Sequence, residues 1–156
     1  MRDNGNGAGI DLLDGVWDTA IELKSRYAHN PSQSYTVNPH KDYPYEQEHP
    51  GMEMLFCFLR YDVAGSPKYL KKIEANEENI TMRECFLVPY AWVRQFPIYR
   101  GPGETNYLYV YQGVIEALPL DDFVSRELDD EKPGLLYVMK GTRFAQTLDE
   151  RLEMPF

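Results

Sequence analysis

The run "MEMLFCFLRYDV", residues 52–63, places the tightest limit on what this chain can fold into. Its centre is apolar without a break. In an extended segment Phe56 and Phe58 point to one side, and Leu55, Cys57 and Leu59 to the other. A strand that is greasy on both faces is buried on both faces. The run therefore predicts an inner strand with material packed above and below it.

The rest of the chain must supply that sheet and its cover. At 156 residues it is read as one domain, 1–156, large enough to hold a core without staples. Residues 1–9, "MRDNGNGAG", read as a polar, glycine-rich tail with no apolar signal segment. Between 10 and 28, Ile10, Leu13, Trp17, Ala20, Ile21 and Tyr27 recur at helical spacing, with Asp11 near the start and "HNP" as a stop. Residues 30–51 hold four prolines and no sustained period, which predicts a long extended arm. Ser66 and Pro67 open a short helix striped by Tyr69, Leu70 and Ile73. "TMRECFLVPY" and "AWVRQFPIY" read as strands bent or confined to an edge by Pro89 and Pro97.

Further on, Tyr107, Tyr109 and Tyr111 alternate with Leu108 and Val110 at a period of two. A helix is predicted over 119–129, striped by Leu120, Phe123, Val124 and Leu128. "LLYVMKG" is a last strand, and Thr142 caps a closing helix that carries Phe144, Leu148 and Leu152. Short turns between successive strands favour antiparallel pairing. The expected fold is α+β: a mainly antiparallel sheet of about four to five strands with helices packed on it, plus the proline- and tyrosine-rich arm.

Composition narrows the function classes. The net charge is −9. Nucleic-acid binding draws on Lys and Arg against phosphates, so a chain this acidic is not expected to bind one. No run of about eighteen apolar residues exists, so no membrane span is expected. Cys57 and Cys85 each sit in an apolar run and read as small core hydrophobes, with a disulfide between neighbouring strands as the alternative. The compartment expected is the reducing interior of a cell, or a virion.

No motif assembles a catalyst. "GPGETN", residues 101–106, stands between two strand-like segments and not before a helix, and Pro102 removes a donor that a phosphate cradle needs. It reads as a turn with Gly103 free to take positive φ. His29, His40 and His49, even with Asp42, Glu46 and Glu48, match no metal-ligand frame. Cys57 and Cys85 lie mid-strand in apolar surroundings, where thiols are inert, and no nucleophile elbow is present. Paired acids (Glu77 with Glu78, Asp121 with Asp122, Asp129 to Glu131) fall in turns and helix ends, where carboxylates are solvated. No cofactor and no metal are expected.

What remains is aromatic. The arm carries Tyr35, His40, Tyr43 and Tyr45. Trp92 lies on the strand before Tyr107, Tyr109 and Tyr111. These residues are the expected partner-binding set. The Tyr107–Tyr111 row is either a stacking platform for a partner or a face lying under a helix. The function expected is that of a non-enzymatic structural or accessory subunit of a larger assembly, with the arm laid across another protein subunit. The alternative is a stand-alone acidic inhibitor or immunity-type protein that binds a basic partner.

Overall fold

The computed structural model describes residues 2–3, 9–28, 34–63, 80–100, 106–111, 115, 119–128 and 134–153. The expected helix after Ser66, the "GPG" turn and most of the 1–9 tail lie outside them.

The inner strand is where the apolar run places it. Strand β5, Glu53–Val63, lies within a seven-stranded sheet. The other strands of that sheet, in chain order, are β1 (Arg2–Asp3), β2 (Leu12–Asp14), β3 (Thr19–Tyr27), β6 (Ile80–Pro89), β9 (Phe123–Glu127) and β10 (Leu135–Met139). Across the sheet the order is β1-β2-β3-β5-β6-β10-β9. The fold is α+β with a mixed sheet, not the mainly antiparallel one expected. Strands β3 and β5 run parallel, as do β6 and β10, while the other neighbours are antiparallel.

Parallel pairing explains the arm. Two parallel neighbours need a crossover of a dozen residues or more. Residues 28–52 are the crossover between β3 and β5. They are not featureless: β4 (Ser34–Val37) is followed by two single-turn helices, α1 (Pro39–Asp42) and α2 (Tyr45–Glu48). Asn38 caps α1, its side chain accepting from the backbone N–H groups of His40 and Lys41. β4 pairs with β8 (Asn106–Tyr111), and β8 with β7 (Tyr99–Arg100), in a separate three-stranded antiparallel sheet.

The expected helix over 10–28 is a hairpin of β2 and β3. Asp14 ends β2, and its Oδ1 accepts from the N–H groups of Val16 and Trp17. Asp18 then takes a left-handed φ of 47°, which no helix tolerates in its interior. The expected helix over 119–129 is a 3-10 turn, Leu120–Asp122, leading into β9. "AWVRQFPIY" begins within helix α3, Tyr90–Val93, rather than in a strand. The closing segment is helical as expected, in two pieces, α4 (Arg143–Gln146) and α5 (Leu148–Glu153), with Thr142 Oγ1 accepting from Ala145 N–H.

Alternation along β5 sorts the core into two layers. On one face Phe56 and Phe58 pack with Phe86, Val88, Tyr90, Val93 and Phe123, and with Tyr35, Val37 and Tyr45 of the arm. On the other, Leu55 and Cys57 pack with Ile21, Cys85, Leu87, Leu136, Val138, Phe144 and Leu148. The arm is therefore part of the chain's own core. This overturns the expectation that it is free to lie across a partner: removing it strips Tyr35, Val37 and Tyr45 from one face of the sheet.

Candidate functional site

The two faces of the sheet carry different chemistry. Under the arm, β3 directs Glu22, Lys24 and Arg26 inward, where a strand would ordinarily place apolar side chains. Each finds a partner from the crossover or its surroundings. Lys24 Nζ lies 2.8 Å from Asp42 Oδ2 and 3.4 Å from Glu22 Oε1. Asp42 Oδ2 also accepts from Asn38 N–H at 2.9 Å. Arg26 lies over the ring of Tyr35. Glu22 Oε2 accepts from Asp11 N–H, and Asp11 in turn accepts from Leu23 N–H. Burial pushes the Glu22 carboxyl up to about 7, and Asp11 and Asp42 add to the effect while Lys24 opposes it. A desolvated carboxyl of this kind can serve as an acid–base group. Here its oxygens face the backbone N–H of Asp11 and the ammonium of Lys24, which in turn reaches Asp42, so Glu22 backs the Lys24–Asp42 contact that joins crossover to sheet.

The expected partner-binding residues separate on this framework. Tyr35 is buried, its ring 5.0 Å from that of Phe58, and Tyr45 is buried in the same layer. Burial, then Glu22 and Asp42, pushes the Tyr45 hydroxyl up to about 12. These two rings face inward and are not partner surface. Tyr43 is half-buried, with Arg94 over its ring, and its hydroxyl lacks a hydrogen-bond partner among the described residues. Arg94 also pairs with Glu46. His40 is exposed on α1. Trp92 is half-buried on α3 and meets Phe96 edge to face at 4.9 Å. Tyr107, Tyr109 and Tyr111 lie at alternate positions of β8, opposite Tyr99, Thr36 and Ser34; their side chains are outside the described residues. Of the paired acids, Asp121 and Asp122 are exposed, and the other pairs lie outside the described residues.

The opposite face holds a pocket of about 430 Å³. Its floor is the sheet: Ile21, Cys57, Cys85, Leu87 and Leu136. Its walls are Leu12, Val16 and Trp17 from the first hairpin and Phe144, Leu148 and Leu152 from the closing helices. Glu53 fixes one wall. Its two carboxylate oxygens accept from Arg143 and Phe144 N–H at 2.7 and 2.9 Å, holding the start of α4 against β5.

One cation borders the pocket. Arg151 is buried between Trp17 and Phe144, with its guanidinium carbon 5.0 and 4.1 Å from the two ring centres. Its Nε donates to Thr147 Oγ1 and its Nη2 to Thr19 Oγ1. Its Nη1 lies 3.5 Å from Asp14 Oδ2. Burial pulls Arg151 below its ordinary range, and Asp14 opposes the shift. The pair neutralises itself, so the cavity is apolar in effect. The rim is not: Val16 and Leu152 stand 70% and 50% exposed, and α5 also exposes Glu150, Glu153 and Asp149, the last paired with Arg126 of β9.

Sequence reasoning missed this pocket because its walls come from opposite ends of the chain. The signal that was available is the pair of cysteines, both on the same side of the inner strands. Among the described residues no three His, Cys, Asp or Glu side chains come together as a metal site, and no helix is long and apolar enough to cross a membrane. Comparison with protein-family models, with curated proteins and with solved structures finds no match to this chain.

Proposed function

We propose that this chain is a non-enzymatic accessory subunit that works by protein–protein contact, and that its contact surface is the apolar pocket. The observation that carries this reading is the rim. Val16 and Leu152 are large apolar side chains left standing in solvent at the mouth of an apolar cavity. Interfaces draw most of their energy from an apolar or aromatic anchor that fills such a socket, ringed by polar contacts. The acids of α5 supply that ring and select a partner whose anchor is flanked by Lys or Arg. The arm keeps a different role: it is the packed crossover that holds the sheet together.

The test is native purification from the source, with the full chain followed by size-exclusion chromatography. The expected result is a complex of fixed stoichiometry. Val16→Asp with Leu152→Asp should dissociate it while leaving the melting temperature of the isolated chain unchanged, since both side chains are exposed. A lone monomer, or a complex indifferent to the two changes, overturns the reading. The −9 charge and the acidic rim also suit a second reading, an inhibitor seated on a basic active site. An enzyme as the co-purified partner, losing its activity in the complex, would select it.

A further inference from the structure

Arg151 borders the pocket with one end of its guanidinium unmet. The side chain is only 7% exposed, and the rings of Trp17 and Phe144 pack against it. Nε donates to Thr147 Oγ1 at 2.8 Å and Nη2 to Thr19 Oγ1 at 3.0 Å. Both hydroxyls pass their own protons on, to the carbonyls of Arg143 and Trp17, so each is fixed as an acceptor toward Arg151. Nη1 is left. It lies 3.5 Å from Asp14 Oδ2, near enough for charge attraction, yet it is buried and makes no hydrogen bond among the described residues. A buried donor in that condition is destabilising until an acceptor reaches it. Arg151 and Asp14 both line the cavity, whereas Thr19 and Thr147 do not. The tied nitrogens are thus held by residues outside the lining, and the open one lies beside Asp14, within it.

We infer that the pocket binds a small, uncharged, largely apolar molecule that carries a carbonyl, whose oxygen accepts from Arg151 Nη1.

Size and lining fit such a molecule. A cavity of about 430 Å³ lies within the range of small-molecule sites, roughly 300–1,000 Å³, which are mostly apolar with a few fixed polar groups. Here the fixed polar group is a guanidinium already held by two rings and two hydroxyls, so binding orders little that is not ordered beforehand. A carbonyl that displaces water from Nη1 keeps the hydrogen bond and adds its apolar contact.

Asp14 sets the charge of the ligand. Its Oδ1 accepts from the N–H groups of Val16 and Trp17, so the carboxylate cannot swing away without undoing that turn. An anion approaching Nη1 would meet Oδ2 of Asp14 and be repelled, and the net charge of −9 adds to the repulsion. A cation would meet Arg151 itself. A neutral oxygen meets neither obstacle.

This site goes beyond the partner contact proposed above. Only one consequence rests on that reading: a partner's anchor and such a molecule contend for one cavity, so the molecule would regulate assembly.

The experiment is a titration of the isolated full chain carrying Trp92→Phe, which leaves Trp17 as its single tryptophan. Benzophenone is the probe, read by quenching of Trp17 fluorescence. Diphenylmethane, which has the same two rings without the carbonyl, and diphenylacetate, a carboxylate, are measured by displacement of benzophenone. Benzophenone should bind at least tenfold more tightly than diphenylmethane once each affinity is referred to the compound's own transfer from water to alkane, where no hydrogen bond forms. Diphenylacetate should bind at least tenfold more weakly than benzophenone. Arg151→Met with Asp14→Asn removes the donor and its opposing charge together, and should erase the advantage of the carbonyl. The comparison of probes on the unchanged pocket decides the matter even where that double variant does not fold. Absence of quenching, a carbonyl advantage under tenfold, or a carboxylate that binds as tightly as the ketone overturns the inference. None of these titrations involves a partner chain. Their failure leaves the partner reading standing, and a lone monomer on native purification leaves this site standing.

Discussion

The ammonium of Lys24 and the carboxylate of Asp42 meet at 2.8 Å, and Asp42 is wholly buried. One residue belongs to a strand of the sheet and the other to a helix of the crossover. The contact therefore joins the two layers that a parallel strand pair needs held together. Oδ1 of Asp42 has no hydrogen-bond partner among the described residues, so Lys24 carries much of the compensation for that buried charge.

Removing one member of this pair should cost far more than removing both. Lys24→Met leaves Asp42 buried and uncompensated, and the expected loss is about 3–5 kcal/mol. Lys24→Met with Asp42→Asn should lose markedly less. Urea unfolding of the two single variants and the double variant measures the cycle, and a double-variant loss equal to the sum of the two single losses would show that the pair is not coupled.

Glu22 should make stability fall as pH rises. Its folded value of about 7 stands above its ordinary 4.5, so the folded state holds a proton that the unfolded chain releases. Its contribution is complete below 4.5 and is lost as pH climbs through 7. A tenfold change in proton affinity is worth about 1.4 kcal/mol, and solvent near the carboxyl screens part of the effect, so the loss is on the order of 1–2 kcal/mol. The difference in urea midpoint between wild type and Glu22→Gln, followed from about pH 4.5 to about pH 7.5, isolates this contribution. Glu22→Gln should gain relative to wild type across that window, and a constant difference would show that Glu22 binds its proton equally in the folded and unfolded chain.

Tyr90 should tolerate the loss of its hydroxyl. Its ring stacks on Phe56 at 4.1 Å, while its buried oxygen has no hydrogen-bond partner among the described residues. Tyr90→Phe keeps the stacking and removes an unsatisfied group, so stability should hold or rise by about 1 kcal/mol. A clear loss in thermal unfolding would reveal a partner for that oxygen.

Gly134 should not accept a side chain. A Cβ there would stand 2.4 Å from the backbone oxygen of Met82, a neighbour that cannot swing away. Its own carbonyl accepts from Leu128 N–H at 2.8 Å, which joins the residue before β10 to the residue after β9. Gly134→Ala should cost about 1–3 kcal/mol, the scale of overpacking. An unchanged melting temperature would mean that β10 shifts freely against β6.

The inner strand was legible from residues 52–63 alone, because an unbroken apolar run has only one consistent environment in a sheet. Phe56 and Phe58 do face one layer and Leu55 and Cys57 the other. The capped start of the closing helix was equally legible, since Thr142 satisfies its own neighbours locally. The residues of β3 were not. Glu22, Lys24 and Arg26 face the core because Asp11, Asp42 and Tyr35 meet them there, and Asp42 and Tyr35 lie outside the segment that contains them. Without them, the apolar residues from Ile10 to Tyr27 fit a helical stripe better than a strand. The same holds for Tyr35 and Tyr45, which read as adhesive side chains on an open arm until parallel pairing of β3 and β5 makes that arm a packed crossover. The pocket depends on the same non-local pairing, for strand register alone sets Cys57 and Cys85 on one face of adjacent strands. Local patterning determined which segments must be buried. Register, strand direction and the matching of buried charges were decided by tertiary contacts, because each is a property of two segments and neither segment specifies it alone.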